Sequence, residues 1–146
     1  MKKIILITSL FLINTFHALS NEPKLSEEIN GLRSPWSISF VDDSKALVTE
    51  KSGNLILVDL NSKKIKKIAH NLNILEDWQG GLLEVLYYNN QIFVSYSENL
   101  KKGKSSTSVA VAKFNENSLN FKNIFRAEPP INSGYHFGSR LVIKEN

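Results

Sequence analysis

Short runs of apolar residues alternate with polar turn residues along most of the chain, from about Leu32 onward. The runs are bounded by Asn, Asp, Ser or Gly, which are the residues that favour tight turns. This pattern is typical of β-strands that follow one another through short connections. The sequence therefore predicts an all-β fold.

The predicted strands fall into two successive sets. We expect the first set to form one antiparallel sheet, with strands at 37–40, 46–50, 54–59 and 64–69. The second set is joined by Asn89-Asn90 and by a loop of lysine, glycine and serine, and its strands lie at 82–87, 91–96, 108–114 and 122–125. Such sets are typical of propeller blades, although the same turn spacing also occurs in an antiparallel sandwich.

The first residues have the pattern of a secretory leader. A charged start, Met1-Lys2-Lys3, precedes an apolar run over 4–16, and small residues follow up to Ser20. A membrane anchor is the alternative, but the run is shorter than the ~20 apolar residues that a spanning helix needs. We therefore expect a signal peptide over 1–20, a polar entry segment over 21–31, no membrane span after cleavage, and a periplasmic or secreted protein.

Composition excludes some classes of function. The chain has 146 residues and no cysteine, so neither disulfides nor thiolate metal ligands are available, and apolar packing must form the core. The net charge is +4, and removal of Lys2 and Lys3 with the leader would lower it by two, to +2. The remaining lysine groups, at 63–67 and 101–104, lack interleaved aromatic residues, which favours solvated faces over a nucleic-acid partner.

Two glycine-bearing segments carry the chemistry. In Ser133–Leu141, His136 stands among small residues, and an imidazole can accept a proton from a substrate hydroxyl. In Asp77–Val85, the Gln79 amide can both donate and accept a hydrogen bond, and Trp78 precedes it. A buried, structurally satisfied histidine and a packing tryptophan are the alternatives for His136 and Trp78.

Together with three other segments, these two resemble the soluble PQQ-dependent sugar dehydrogenases, the glucose/sorbosone dehydrogenase family. The order of the motifs matches that of the family: Pro35-Trp36-Ser37, Val48-Thr49-Glu50, Gln79-Gly80-Gly81-Leu82-Leu83, Ile124-Phe125-Arg126 and His136-Phe137-Gly138-Ser139-Arg140-Leu141. The resemblance implies a six-bladed β-propeller. Residues 32–146 would supply only about the first two blades, plus one strand over 140–143, as the N-terminal part of a longer protein.

The resemblance also implies a reaction and its site. An aldose sugar would be oxidised to a lactone, with His136 as general base and hydride transfer to PQQ, and an electron acceptor would complete the cycle. Gln79 and Trp78 would bind the substrate. The cofactors would be PQQ and calcium, whose ligands we expect beyond Asn146, with no metal ligand in this segment. For Arg140, a structural pairing is favoured over cofactor contact.

A second class of function stays open. The chain would be a non-catalytic secreted β-propeller module that binds a glycan or a protein partner, if the cofactor-binding blades were absent or lacked their cationic residues. The two classes differ in whether the cofactor-binding residues exist in the intact protein.

Overall fold

A computed structural model describes residues 25–144 of the chain. The predicted signal peptide over 1–20 and the first part of the entry segment lie outside the described residues. Within 25–144 no helix is long and apolar enough to cross a membrane.

The first sheet is an antiparallel meander whose strands follow chain order. It consists of β1 (Pro35–Phe40), β2 (Lys45–Glu50), β3 (Leu55–Asp59) and β4 (Lys64–His70). Neighbouring strands pair in register, as Ile38 with Val48 and Leu47 with Leu57 illustrate. The prediction of one antiparallel sheet over these residues is confirmed.

The second sheet repeats this arrangement. It is built from β5 (Leu82–Tyr88), β6 (Gln91–Asn99), β7 (Ser105–Lys113) and β9 (Lys122–Arg126), in that order, with a single 3-10 turn at Lys101–Gly103 before β7. Between β7 and β9 lies a two-residue strand, β8 (Ser118–Leu119), which pairs parallel with the end of β4. The first sheet thus gains one parallel strand that the sequence pattern did not predict.

Several predicted boundaries differ from the structure, and one predicted strand is not formed. Strand β1 begins at Pro35 rather than 37, and β6 ends at Asn99 rather than 96. Strand β7 begins at Ser105 rather than 108, because Ser105 and Ser106 pair with Asn99 and Glu98 although their side chains are polar. The predicted strand over 140–143 is not formed, since no neighbouring strand pairs with it among the described residues. A strand requires a hydrogen-bonded partner, which an apolar run by itself does not supply.

The main core lies between the two sheets. Leu47, Leu55 and Ile68 of the first sheet pack in one cluster with Leu82, Val85, Ile92 and Val94 of the second. The opposite face of the first sheet carries a smaller cluster, which is covered by Ile29 of the entry segment and by Leu32. Burial of both faces explains the uninterrupted apolar runs over 46–48 in β2 and 55–58 in β3.

The first strands of the two sheets, β1 and β5, lie side by side. They form no ladder with each other; instead, Ser37 Oγ accepts from Val85 N at 3.3 Å and Ser39 Oγ accepts from Tyr87 N at 2.9 Å. Thr49 Oγ1 of β2 also donates to the Leu83 carbonyl, at 2.5 Å. Each sheet runs outward in chain order from these adjacent first strands, which is the arrangement of propeller blades around an axis.

Gly81 provides a test of how closely the two sheets approach. A Cβ at this position would lie 2.2 Å from the Lys51 carbonyl oxygen, whereas a Cβ at Gly138 would meet nothing within 4 Å. We expect Gly81→Ala to lower the free energy of unfolding by about 3 kcal/mol, because backbone would have to shift. Gly138→Ala should change it by less than about 0.5 kcal/mol. Urea unfolding of both variants checks this, and equal stabilities would contradict the packing described.

Candidate functional site

Two connecting segments meet at one end of the second sheet. The loop over 77–81 leads into β5, and the segment over 131–140 follows β9. The latter is directed to this end because Ile131 and Ser105, the first residue of β7, exchange backbone hydrogen bonds of 2.8 and 2.9 Å. Both glycine-bearing motifs of the sequence therefore lie on one rim of the sheet.

Gln79 joins the two segments directly. Its backbone N–H donates to the Gly134 carbonyl at 2.9 Å, and its side-chain Oε1 accepts the His136 backbone N–H at 2.9 Å. With Oε1 engaged in this way, the Nε2 group of the amide makes no hydrogen bond within the described residues. The structure thus brings together Gln79 and His136, which are 57 residues apart in sequence.

His136 is exposed and lies in the left-handed region, with φ 68°. Within residues 25–144 its imidazole makes no hydrogen bond, and its one ring contact is with Tyr135, at a centroid distance of 6.3 Å. This exposure argues against the alternative of a buried, structurally satisfied histidine. His70, by contrast, has its ring satisfied by the backbone, because its Nε2 lies 2.8 Å from the Gly53 carbonyl oxygen.

Trp78 lies beside this pair, at the surface. The residue is 68% exposed, and its indole stacks on the Tyr135 ring, with centroids 5.3 Å apart and an interplanar angle of 27°. Gly134 makes the close approach possible, since a Cβ there would lie 2.5 Å from Asp77 Oδ2 and 3.1 Å from Trp78 Cδ1. Trp78 was alternatively expected to be a packing residue. Its packing is limited to contacts with Tyr135 and Gly134.

Side chains of the second sheet bind the segment over 131–140, which contains His136. Ser105 Oγ donates to the Ser133 carbonyl at 2.9 Å, and Ser95 Oγ donates to the Ser139 carbonyl at 2.5 Å. Arg140 pairs with the buried Glu84 carboxylate at 3.1 Å, in agreement with the structural pairing that the sequence favoured for this arginine. The segment is thus fixed on both sides of His136.

A further serine fixes the loop over 77–81. Ser97 Oγ accepts the Gly81 N–H at 2.6 Å and donates to the Leu75 carbonyl at 2.5 Å. Sequence reasoning did not single out Ser97, Ser95 or Ser105. The available signal was a pair of serines at alternate positions of β6, 95 and 97, and the serines at the start of β7.

A charged network closes the same end of the second sheet. Glu98 accepts two hydrogen bonds from the Arg126 guanidinium, at 2.6 and 2.7 Å, and one each from Ser108 and Asn123. Burial opposes ionisation of Glu98, but these donors outweigh it and lower the pKa of the carboxyl group below its ordinary value. Burial, together with the Glu98 charge, raises the pKa of neighbouring Tyr96 to about 12.

Side chains near the two segments differ in what they can bind. Within 25–144 no cluster of three or more His, Asp or Glu side chains is suited to a metal ion. Arg140, in the segment over 131–140, pairs with Glu84. Gln79, His136 and Trp78 provide hydrogen-bonding and aromatic groups at the rim.

Known proteins resemble this chain over most of its length. The sequence model for glucose / sorbosone dehydrogenase matches residues 32–146. Aldose sugar dehydrogenase YliI of Escherichia coli (strain K12) is 29% identical over 117 residues, which cover 74% of this chain and 32% of that protein. The chain therefore spans about a third of the length of this relative.

Solved structures share the fold. A glucose dehydrogenase crystal structure superposes with a TM-score of 0.75 at 33% identity, over 81% of this chain and 37% of that one. The PQQ-bound form of aldose sugar dehydrogenase from Streptomyces coelicolor gives a TM-score of 0.62 at 15% identity, over 72% of this chain and 34% of that one, and shows a common fold. These neighbours are β-propellers, so the two sheets described here are blades of a propeller.

The Glu98 network predicts a pH-dependent contribution to stability. The pKa of Glu98 is lower in the folded state, so its contribution is present above the unfolded value of about 4.5 and is lost as pH falls through the folded pKa. We expect Glu98→Gln to lower the free energy of unfolding by about 1.5 kcal/mol at neutral pH. Chemical denaturation at several pH values should show this difference shrinking below pH ~4.5.

The matched control is Glu116→Gln, which removes an ion pair with Lys45 between partly exposed side chains. A surface pair of this kind contributes little, so stability should change only slightly. An equal loss in the two variants, independent of pH, would contradict the role assigned to Glu98.

Proposed function

Because the chain belongs to the glucose/sorbosone dehydrogenase family, we propose that the intact protein is a PQQ-dependent sugar dehydrogenase that oxidises aldoses to lactones. The matching relatives with named activities are an aldose sugar dehydrogenase and a glucose dehydrogenase, which supports a sugar substrate. The PQQ-bound neighbour supports the choice of cofactor.

The observation that carries the proposal is the hydrogen bond from the His136 N–H to Gln79 Oε1. It brings Gln79, whose Nε2 group makes no hydrogen bond within the described residues, to the backbone of His136, whose side chain is exposed on the same rim. A general base must stand within hydrogen-bond reach of the hydroxyl whose proton it takes, and a second donor is needed to orient that hydroxyl. Both groups are present here.

In the proposed reaction, His136 accepts the proton of the anomeric hydroxyl as the hydrogen on the same carbon leaves as hydride. The Gln79 Nε2 group donates to the sugar oxygen and holds it in line with the imidazole. When bound, PQQ supplies the two-electron acceptor that protein side chains lack. Trp78 precedes Gln79 and stacks on Tyr135, the residue before His136, and in this proposal its indole contacts the sugar.

Among the described residues, His136, Gln79 and Trp78 provide groups that can bind the sugar. PQQ is a polycarboxylate, so cationic side chains would pair with it. Because this chain spans about a third of the length of its curated relative, we place the residues that hold PQQ and calcium in the part of the propeller beyond Asn146. The leader-like start of the sequence supports a periplasmic or secreted location, where an electron acceptor would reoxidise the cofactor.

Removal of the base provides the first test. We expect His136→Asn in the intact protein, supplied with PQQ and calcium, to reduce sugar-dependent dye reduction by about 10³-fold. Asparagine is chosen because it tolerates the left-handed backbone at this position, so the loop should keep its shape. Lys102→Asn, also at a left-handed position but in the loop before β7, is the matched control.

Retention of full activity in His136→Asn would exclude this histidine as the base. Absence of cofactor-dependent turnover with any common aldose in the wild-type protein would instead favour the alternative, a non-catalytic secreted β-propeller that binds a glycan or a protein.

Substitution of Gln79 separates its two roles. Gln79→Glu keeps an oxygen to accept the His136 N–H but removes the Nε2 donor, whereas Gln79→Ala removes both. We expect kcat/KM to fall about 10- to 100-fold in Gln79→Glu, the equivalent of one lost hydrogen bond, and further in Gln79→Ala.

Hydrogen exchange of the His136 backbone amide provides the structural readout. It should stay slow in Gln79→Glu and become fast in Gln79→Ala. Fast exchange in both variants would mean that the amide oxygen of Gln79 does not hold this segment in solution.

A further inference from the structure

The hydroxyl of Ser95 connects three pieces of chain at the rim that carries His136. Its oxygen accepts the Glu84 backbone N–H at 3.2 Å, and the hydroxyl donates to the Ser139 carbonyl at 2.5 Å. Ser95 is buried, so these bonds are not shared with bulk water. The segment that contains His136 is therefore attached to both β5 and β6 at Ser139.

The same connection occurs between the two sheets. Thr49 Oγ1, on β2, accepts the Ser37 backbone N–H at 3.1 Å and donates to the Leu83 carbonyl at 2.5 Å. Ser37 and Glu84 therefore occupy equivalent positions in the first strands of the two sheets, and Leu83 is equivalent to Ser139. The hydroxyl connection is thus a repeated feature of the fold and is not specific to the candidate site.

The two junctions differ at one position. Ser37 Oγ accepts the Val85 backbone N–H at 3.3 Å, whereas the Glu84 carboxylate, at the equivalent position, accepts the Arg140 guanidinium at 3.1 Å. Glu84 is only 7% exposed, and a buried carboxylate needs a partner for its charge. A charged pair is therefore present at the junction next to His136, where the other junction has a neutral hydrogen bond.

The chain between His136 and this charged pair has little other support. Within the part of the chain that the structure describes, neither Phe137 nor Gly138 makes a hydrogen bond. The space around Gly138 is open, since a Cβ there would meet nothing within 4 Å. The left-handed backbone of His136, with φ 68°, persists only if its surroundings hold it. Gln79 holds it directly, and the charged pair holds the chain that follows.

We propose that Glu84 is a positioning residue for His136, which it holds through Arg140 at the place where the imidazole takes the proton of the sugar hydroxyl. This role rests on the proposed function. Glu84 does not bind the sugar, so its loss should lower kcat and leave KM nearly unchanged. The effect on kcat arises because a misplacement of ~1 Å in a reacting group can cost about 100-fold in rate.

Kinetics of the intact protein, supplied with PQQ and calcium, test this role. Glu84→Leu removes both carboxylate oxygens and keeps an apolar side chain of similar size at a buried position. We expect kcat to fall about tenfold and KM to change less than about twofold. The matched control is Ser37→Ala, at the equivalent position of the other junction, which should leave kcat within about twofold of wild type. An unchanged kcat in Glu84→Leu, or an equal loss in Ser37→Ala, overturns the proposal.

The two partners of the pair should act as one unit. We expect Glu84→Leu, Arg140→Leu and the double variant to have the same kcat, about tenfold below wild type. The double variant also avoids a buried carboxylate without a partner, so it should fold even if Arg140→Leu is unstable. Losses that multiply to about 100-fold in the double variant would show that Glu84 does not act through Arg140.

Hydrogen exchange of the His136 backbone amide gives a readout that does not depend on activity. Without PQQ, exchange should become about tenfold faster in Glu84→Leu, whereas the amides of β2 and β3 should keep their wild-type rates. Ser37→Ala should leave exchange at His136 unaltered. A general acceleration that includes β2 and β3 would indicate lost stability of the whole fold and would overturn a local positioning role.

The two proposals fail in different ways. If the protein oxidises no sugar but exchange at His136 responds to Glu84→Leu, Glu84 positions this residue and the proposed function fails. If the protein oxidises sugars but neither kcat nor exchange at His136 changes in Glu84→Leu, the positioning role fails and the dehydrogenase stands.

Discussion

Hydrogen bonds between serine hydroxyl groups and the backbone connect the parts of this protein that no strand ladder joins. Ser37 and Ser39 bond β1 to β5 across the two blades, and Ser97, Ser95 and Ser105 hold the two segments of the candidate site on the second blade. A buried hydroxyl without a partner is costly, so each serine specifies one position of the opposing backbone. Within the described residues no buried side-chain polar atom lacks a partner.

These bonds allow an unfavourable backbone at the site. Trp78 and His136 both have left-handed φ values, of 44° and 68°, in segments that would relax if they were free. The surrounding contacts prevent relaxation, because the Gln79 backbone and side chain bond to Gly134 and His136 on the facing segment. Local strain of this kind persists only where the rest of the structure over-determines the conformation. The imidazole and the indole are therefore displayed to solvent on a rigid rim.

Much of the fold could be predicted from the sequence. Alternation of apolar runs with turn residues placed the strands of both blades, because a strand between turns is recognisable from its own residues. Strand β7 was predicted to begin too late, since its first residues are serines that hydrogen bonds, rather than hydrophobicity, keep buried. The apolar run over 140–143 was predicted as a strand, but strand formation depends on a neighbour that the run itself does not contain.

The sequence by itself determined the all-β class, the spacing of the strands and the presence of an imidazole and an amide among glycines. Only the tertiary structure decided that Gln79 binds the His136 backbone and that Trp78 stacks on Tyr135. These contacts join the segment before β5 to the segment after β9, so their geometry depends on how β5 to β9 fold together. The local sequence pattern indicates which element each segment can form, whereas the meeting of the two segments on one rim is a property of the assembled sheet.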